Sequence, residues 1–317
     1  MLREIRELGF EYAELSHGIR LSLVPGILDA LQAGEIKIST LHNFCPLPMG
    51  VNHAAPNLYK FSSENPRERD SAWKHTLNTL EKAHQFGARL VVLHSGSLDL
   101  KDYNEKLEDM KKELSEKRDH LRRLEASGQQ DTREYRKLTS KVEDAEDDYR
   151  RLVQKVEEKR DKYKSEPMAR ALDMIHRLAD QAGALGLMLG IENREAVEEI
   201  PFDHEIQEFL AALPPNVKYW HDCGHAQIKE HLEFIPSHEM HLQNLAPRLA
   251  GFHIHDVVID SDGAHDHCPP GSGVIRWANL KQFVRPDHIK VLEMSPGVPV
   301  EDVLRGYEII REFWGPE

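Results

Sequence analysis

The chain has 317 residues, 40% hydrophobic and 30% charged, which suits one large domain or two ordinary ones and provides ample apolar residues for a core. A net charge of −13 disfavours a broad nucleic-acid surface or an anionic membrane as partner, although a local basic groove stays open. Three scattered cysteines, no run of about 18 apolar residues and an N-terminus without an apolar segment predict a soluble cytoplasmic protein without disulfides, membrane helix or signal peptide.

Short apolar runs alternate with longer helical segments along the whole chain. The first segment, residues 2–8, is predicted to be a helix. Seven later runs have the composition of buried β-strands: residues 11–15, 36–42, 89–94, 187–192, 217–222, 250–255 and 289–293. Proline and glycine mark the ends of helices at residues 66–87, 167–185 and 299–313. This alternation predicts a parallel sheet with right-handed crossovers.

The number of strands bears on how the sheet closes. A closed barrel of this kind has eight strands, whereas seven are predicted. The helix at residues 2–8 would normally follow a strand, so either the first strand is missing from this sequence or the barrel closes differently. We therefore predict an α/β fold of the (β/α)8 TIM-barrel type with its first strand missing, formed by residues 1–100 and 167–317.

Residues 101–166 form an insertion of a different character. From residue 135 onward the apolar positions lie three or four apart, with one position missed, and residues 127–131 have the composition of a turn. This pattern predicts an antiparallel helical hairpin with a coiled-coil seam. Its 19 basic and 19 acidic residues cancel, as is typical of an exposed strut without chemistry. Because the insertion follows the strand ending at His94, the alternative is that it caps the site or mediates homo-oligomerisation.

Six of the predicted strands end on a side chain that is able to bind metal: His42, His94, Glu192, Asp222, His253 and Glu293. Such groups are costly beside buried apolar strands unless they are paired or coordinated. A lone histidine is usually a hydrogen-bonded core residue, but on a barrel all strand ends converge on one mouth. The recurrence predicts a metal site with Glu192, Asp222, His253 and Glu293 as its ligands.

The ligand types indicate which metal the site prefers. Two glutamates, one aspartate and one histidine make an oxygen-rich site suited to Mn²⁺, Mg²⁺ or Co²⁺. Zn²⁺ becomes the better candidate if His42 and His94 also bind.

Two further histidines are predicted to face the same mouth. Gly224 permits a sharp turn after the strand, so His225 is expected to point back over the site. His253 and His255 share one face of a strand, and Asp256 is expected to orient an imidazole.

Residues 262–273 are predicted to be a long polar loop. His265 and His267 stand two apart in it, ahead of a rigid Pro-Pro-Gly turn. They are candidates for a second metal site or for substrate binding, and the alternative is a mobile solvent loop.

Several motifs together resemble one known group of proteins, and they are spread from about residue 36 to residue 295: LHNFCPLP, VVLHSGS, GIENRE, HDCGH, GFHIHD, DHCPPGSG and VLEMS. The chain resembles the xylose isomerase-like barrel superfamily. This superfamily includes sugar and sugar-phosphate isomerases and epimerases, inosose dehydratases and the endonuclease IV branch of DNA repair.

The resemblance to the epimerase-like branch implies roles for particular residues. Glu192, Asp222, His253 and Glu293 would hold one metal, with Glu192 and Glu293 also acting as acid and base on opposite faces of a small carbohydrate. His225 would contact substrate oxygens. Four more histidines are expected to line the substrate site: His42, His94, His255 and His267. The arginine that epimerases usually carry six residues past the His253 position is replaced here by Ile259.

The resemblance leaves other functions open. A dehydratase would use the same metal and carboxylates. The endonuclease-like branch implies a phosphodiester hydrolase acting on abasic DNA, with a three-metal cluster that adds a further set of histidines: His42, His94, His225, His265 and His267. A third hypothesis is a non-catalytic assembly protein in which the hairpin is the working part. The leading prediction is a metal-dependent sugar or sugar-phosphate isomerase or epimerase.

Overall fold

A computed structural model describes residues 2–100, 103–260 and 263–315 of the chain. The strands among the described residues are β1 Tyr12–Leu15, β2 Lys37–His42, β3 Leu90–Leu93, β4 Met188–Glu192, β5 Val217–Asp222, β6 Leu249–Ile254, β7 Asp256–Asp260, β8 Gly263–Cys268 and β9 Ile289–Leu292. Seven of them are parallel and form one nearly closed sheet, with neighbours in the order β1-β2-β3-β4-β5-β6-β9. All seven predicted strands are confirmed. β1 and β9 stand at the two ends of the sheet, and no eighth barrel strand lies among the described residues.

Helices lie between the strands along the chain. They are α1 Leu2–Glu7, α2 Val24–Gln32, α3 Pro66–Phe86, α4 Asn104–Ala126, α5 Arg133–Tyr163, α6 Ser165–Ala184, α7 Asp203–Ala211, α8 Cys223–His231, α9 His238–Leu245, α10 Trp277–Leu280 and α11 Val300–Trp314. The predicted ends of α3 are confirmed, because Asn65 Oδ1 accepts from the Arg67 N–H at 3.0 Å and Gly87 ends the helix at φ 74°. None of the helices in the described ranges is long and apolar enough to cross a membrane.

Helices α4 and α5, here called the helix pair, pack against each other. They lie between β3 and β4 in the sequence. Arg118 in α4 bonds Glu146 in α5, and nearer the connecting turn Tyr135 Oη donates to Glu125 at 2.7 Å. Early residues of α4 therefore lie beside late residues of α5, and the two helices run antiparallel.

The base of the helix pair is packed onto the barrel. The Tyr149 hydroxyl donates to the Leu232 carbonyl at 2.9 Å, and Arg160 donates to the Glu199 carbonyl at 3.0 Å and to Glu205 at 3.1 Å. The Arg160 side chain is 2% exposed, so its charge depends on these partners. The helix pair thus supports the segment after β4.

The prediction of a loop at residues 262–273 is wrong for residues 263–268, and residue 262 lies outside the described residues. β8 pairs antiparallel with β7 instead, so this segment is a β-hairpin. The role predicted for Asp256 is also wrong. Its carboxylate accepts from the N–H groups of Gly271 at 2.8 Å and Ile275 at 3.1 Å and from the Trp277 indole at 3.3 Å. Asp256 therefore fixes the backbone that follows the hairpin.

The unfolding free energy should respond to pH through His288, which is buried directly before β9. Burial lowers the pKa of His288 from 6.5 to about 4, and its Nδ1 accepts from the Arg285 N–H at 3.2 Å. As the pH falls, His288 is therefore protonated in the unfolded chain before it is protonated in the folded protein. The folded protein loses stability over the range from about pH 6.5 to about pH 4.

His288→Gln keeps an acceptor for the Arg285 N–H but does not titrate in this range. We expect the wild type to lose up to about 3 kcal/mol more than this variant between those pH values. Denaturant unfolding of both metal-free proteins across the range measures the difference. Identical pH profiles would contradict the prediction.

Candidate metal centre

The four predicted metal ligands meet at the carboxyl end of the sheet. Glu192 ends β4, Asp222 ends β5, His253 lies near the end of β6, and Glu293 directly follows β9. Their ligand atoms all lie within 4.8 Å of one another. We call Glu192, Asp222, His253 and Glu293 the central group.

His253 is surrounded by carboxylates. Its Nδ1 lies 2.8 Å from Glu192 Oε1 and 2.9 Å from Glu293 Oε2, and its Nε2 lies 3.0 Å from Glu14 Oε1. Burial by itself lowers the pKa of His253, but the charges of Glu293, Glu14 and Glu192 outweigh it and raise the pKa well above 6.5. Burial likewise raises the pKa of Glu192, but His253 dominates and holds it well below 4.5.

These observations test whether the central group fits a divalent cation. Glu192, Asp222 and His253 are at most 2% exposed, so the two carboxylates among them repel each other in a poorly solvated volume. Such a volume favours a positive charge, and the donor set of three carboxylates and one imidazole is that of a hard divalent cation. The residues fit.

A second group of ligands shares Glu192. His42 Nε2 and His94 Nε2 lie 3.3 and 2.8 Å from Glu192 Oε2. The other nitrogen of each ring also has a hydrogen-bond partner. His42 Nδ1 lies 3.0 Å from the Asn43 carbonyl, and His94 Nδ1 lies 2.8 Å from Asn57 Oδ1. Partners of this kind fix the orientation of a metal-binding imidazole.

A third group consists of His225, His255 and His267, and Asp222 connects it to the central group. The Asp222 carboxylate accepts from the His225 backbone N–H at 2.7 Å and lies 3.0 Å from His255 Nε2. The His267 N–H donates to His255 Nδ1 at 2.8 Å, and the two rings stack with centroids 4.1 Å apart. The structure therefore places every histidine that was predicted to line the substrate site around the central group.

Gly224 has a different role from the predicted one. It lies in the first turn of α8 rather than in a sharp turn. A Cβ at Gly224 would lie 2.0 Å from His255 Cε1, so the glycine provides the space that the His255 ring occupies.

His265 does not join His267, so the structure does not form the second metal site predicted from these two residues. His265 Nε2 lies 3.2 Å from Asp260 Oδ1, and its side chain is 49% exposed. His267 instead lies with the third group, where Asp266 Oδ1 is 3.0 Å from its Nδ1. Burial opposes protonation of His267, but Asp266 prevails and raises the pKa of His267 to about 9.

Three charged residues at the site were not predicted from the sequence. Glu14 in β1 contacts His253, as described above. Arg194, two residues after Glu192, lies 3.7 Å from Glu192 Oε2, 2.9 Å from Glu195 Oε2 and 3.2 Å from a ring nitrogen of His225. Burial raises the pKa of Glu195 to about 7. Arg194 and Glu195 belong to the GIENRE motif, so their place in that motif was the signal in the sequence that could have identified them as site residues.

Solved structures share this fold at low sequence identity. D-psicose 3-epimerase of Clostridium cellulolyticum H10, solved with D-tagatose, is 13% identical over 99% of this chain and 93% of that chain, with a TM-score of 0.62. The E. coli 3-keto-D-glucoside 4-epimerase is 14% identical over 98% and 92%, with a TM-score of 0.61. The IolI protein with a zinc atom is 14% identical over 99% and 93%, with a TM-score of 0.58.

A comparison with curated protein sequences finds no match to this chain. The family described as xylose isomerase-like TIM barrel matches residues 148–312, which is more than half of the chain. The match includes all four residues of the central group, and the seven-stranded parallel sheet agrees with it. The chain belongs to the xylose isomerase-like TIM-barrel family.

Proposed function

We propose that this protein is a metal-dependent isomerase or epimerase that acts on a small carbohydrate. One observation carries the proposal: Glu192 and Glu293 both lie within hydrogen-bond distance of the same His253 nitrogen. Two carboxylates therefore border one small buried volume at the mouth of the barrel. The sugar epimerases of similar fold support the choice of a carbohydrate substrate.

The chemistry follows from what these side chains do with a proton. One carboxylate removes the proton from a carbon beside a carbonyl, and the resulting enolate then takes up a proton from the other carboxylate. Return to the opposite face of the same carbon is epimerisation, and return to the neighbouring carbon is isomerisation. A bound divalent cation would stabilise the negative charge that develops on the substrate oxygens. His225 and Arg194 lie at the same mouth and are placed to donate to substrate oxygens. Loss of water instead of proton return would make the same site a dehydratase.

The central group would hold the cation through Glu192, Asp222, His253 and Glu293. Its oxygen-rich donor set favours Mn²⁺, Mg²⁺ or Co²⁺. The histidines of the second and third groups make Zn²⁺ the alternative.

Glu293→Gln tests the proposal. The amide keeps one ligating oxygen but takes up no proton, so we expect turnover to fall by about 10³-fold or more while most of the metal is retained. The purified protein is first analysed for its metal and then screened with neutral and phosphorylated ketoses in deuterated water. An isomerase or epimerase incorporates deuterium at carbon, whereas a dehydratase releases water.

Glu301→Gln is the matched control, because Glu301 is exposed in the first turn of α11. It should retain wild-type turnover. Wild-type turnover in Glu293→Gln would contradict the role of Glu293.

The adjacent ligand groups favour a second candidate, a phosphodiester hydrolase of the abasic-site type. The first two groups share Glu192, and Asp222 contacts the third, so several ions have ligands within one mouth. Two or three tightly held zinc ions and cleavage of an abasic duplex support this candidate. A single exchangeable ion with deuterium incorporation into a ketose supports the isomerase.

We propose separately that the helix pair mediates homo-oligomerisation. Its base is packed on the barrel, so a self-association surface would have to lie toward the turn that connects α4 and α5. Sedimentation of the full chain measures its oligomeric state. A monomer would contradict the proposal, and an assembly would support it.

A further inference from the structure

Asn193 directly follows Glu192 and is 0% exposed. Its side-chain amide bonds both main-chain polar groups of Asp222, the last residue of β5. Asn193 Oδ1 accepts from the Asp222 N–H at 2.8 Å, and Asn193 Nδ2 donates to the Asp222 carbonyl at 3.0 Å. Because β4 ends at Glu192, which pairs with Trp220, the Asn193 side chain extends the bonding between β4 and β5 beyond the last paired residues.

The hydroxyl group of Tyr219 in β5 fixes the orientation of this amide. Tyr219 Oη donates to Asn193 Oδ1 at 3.0 Å, so the oxygen accepts from two donors, the hydroxyl and the Asp222 N–H. The amide nitrogen is itself a donor. Rotation of the amide by half a turn would therefore set its nitrogen against the Asp222 N–H. The observed orientation is the one that satisfies all three groups.

Tyr219 is in turn held by two buried histidines. His221 Nδ1 lies 2.7 Å and His241 Nε2 lies 3.0 Å from Tyr219 Oη. A hydroxyl group has one proton and two lone pairs, and its proton goes to Asn193, so both histidines donate to Tyr219. Burial raises the pKa of Tyr219 well above 10 and lowers the pKa of both histidines. The phenol therefore keeps its proton, and each neutral histidine has the one N–H that this pattern requires.

The place of the Asp222 carboxylate depends on the main chain that Asn193 holds. The aspartate side chain is short, so a displacement of its main chain carries the carboxylate with it. Asp222 Oδ2 lies 3.0 Å from His255 Nε2 and 3.7 Å from His253 Nδ1. The same carboxylate therefore faces both the third group and the central group. A main chain without the Asn193 contacts would be free to shift it relative to both.

We propose that Asn193 is a positioning residue of the metal centre: it holds the main chain of Asp222 so that the Asp222 carboxylate stays in the central group, and the Tyr219 hydroxyl fixes the Asn193 amide. This inference deepens the proposed function and rests on its metal site, but it does not depend on the reaction. Partners that orient a metal ligand from behind typically contribute about 10–100-fold to metal affinity.

Asn193→Leu tests the inference, because leucine fills a similar volume without either hydrogen bond. We expect the affinity for Mn²⁺ and Zn²⁺ to fall by about tenfold or more. Titration of metal-depleted, full-length protein without substrate measures this loss. The ¹⁵N ring signals of His255 in the metal-free protein should also shift, because the Asp222 carboxylate is a partner of that ring.

Tyr219→Phe is the second variant. It leaves Asn193 in place and removes the hydroxyl that orients the amide, so we expect a smaller loss of metal affinity, about threefold or more. This variant carries the test if Asn193→Leu fails to fold.

Asn216→Leu is the matched control. Asn216 directly precedes β5, at the opposite end of the strand from Asp222, and its Nδ2 donates to the Ala179 carbonyl at 2.8 Å. The same substitution there should lower the unfolding free energy but leave metal affinity and the His255 signals unchanged. An equal loss of metal affinity in Asn216→Leu would show a general structural effect and overturn the inference.

The remaining outcomes separate this inference from the proposed reaction. Wild-type metal affinity in Asn193→Leu, or in Tyr219→Phe if that is the variant that folds, overturns the role of Asn193 alone. A wild-type protein that binds Mn²⁺ or Zn²⁺ but turns over no sugar contradicts only the proposed reaction, since the affinities of the variants are still compared. A wild-type protein that binds neither ion overturns both.

Discussion

Glu192→Gln is expected to lower turnover by about 10³-fold or more and metal affinity by more than about 100-fold. Glu192 contacts His253 through Oε1 and His94 through Oε2, both at 2.8 Å, and it belongs to two ligand groups. The amide replaces one of these acceptor oxygens with a donor. One substitution therefore weakens two ligand groups and removes the proposed proton carrier together. Elemental analysis and deuterium incorporation measure the two losses.

Glu11→Gln is the matched control for this substitution. Glu11 precedes β1, is 62% exposed and lies 3.7 Å from Lys37, so it should leave metal content and turnover unchanged. If Glu192→Gln retains wild-type metal affinity, the central group is not the metal site.

Gly224→Ala should lower turnover by about 10²-fold. The added Cβ would lie 2.0 Å from His255 Cε1 and 2.4 Å from Nδ1, so the ring has to leave its place between Asp222 and His267. We also expect a loss of about 1–3 kcal/mol in unfolding free energy, as is typical of overpacking. Steady-state kinetics and denaturant unfolding measure the two effects.

Gly26→Ala is the control for the added methyl group. A Cβ at Gly26 in α2 meets nothing within 4 Å, and alanine is the better helix former. This variant should therefore be as active and at least as stable as the wild type. A Gly224→Ala protein with wild-type kinetics and wild-type stability would show that the close contact is relieved without consequence.

Most of the sheet and the central group were predictable because both depend on local pattern. Buried parallel strands have continuous apolar runs, and Leu90–Leu93 is buried throughout. The repeated ligand at strand ends then follows from barrel geometry. Glu14 was not predicted as a site residue because it is not the last residue of its strand, which ends at Leu15. Its contact with His253 also joins strands that are far apart in the sequence.

The hairpin shows why spacing alone failed for His265 and His267. Residues two apart share a face only in a regular strand. In the hairpin Asp256 pairs with Cys268 but Val258 pairs with His265, so β8 contains one extra residue, and His267 has a φ of 53°. A bulge of this kind redirects side chains and has no signature in a short polar run. The two histidines consequently separate.

The helix pair also affects the entropy of folding. β3 and β4 are neighbours in the sheet, yet residues 94–187 lie between them. Closing a flexible loop of that length costs conformational entropy that grows with the logarithm of its length. Two antiparallel helices bring the ends of this segment together through contacts that span fewer residues than the whole segment does. If the helix pair forms first, the remaining loop is much shorter, so the segment slows the pairing of β3 with β4 less than its length indicates.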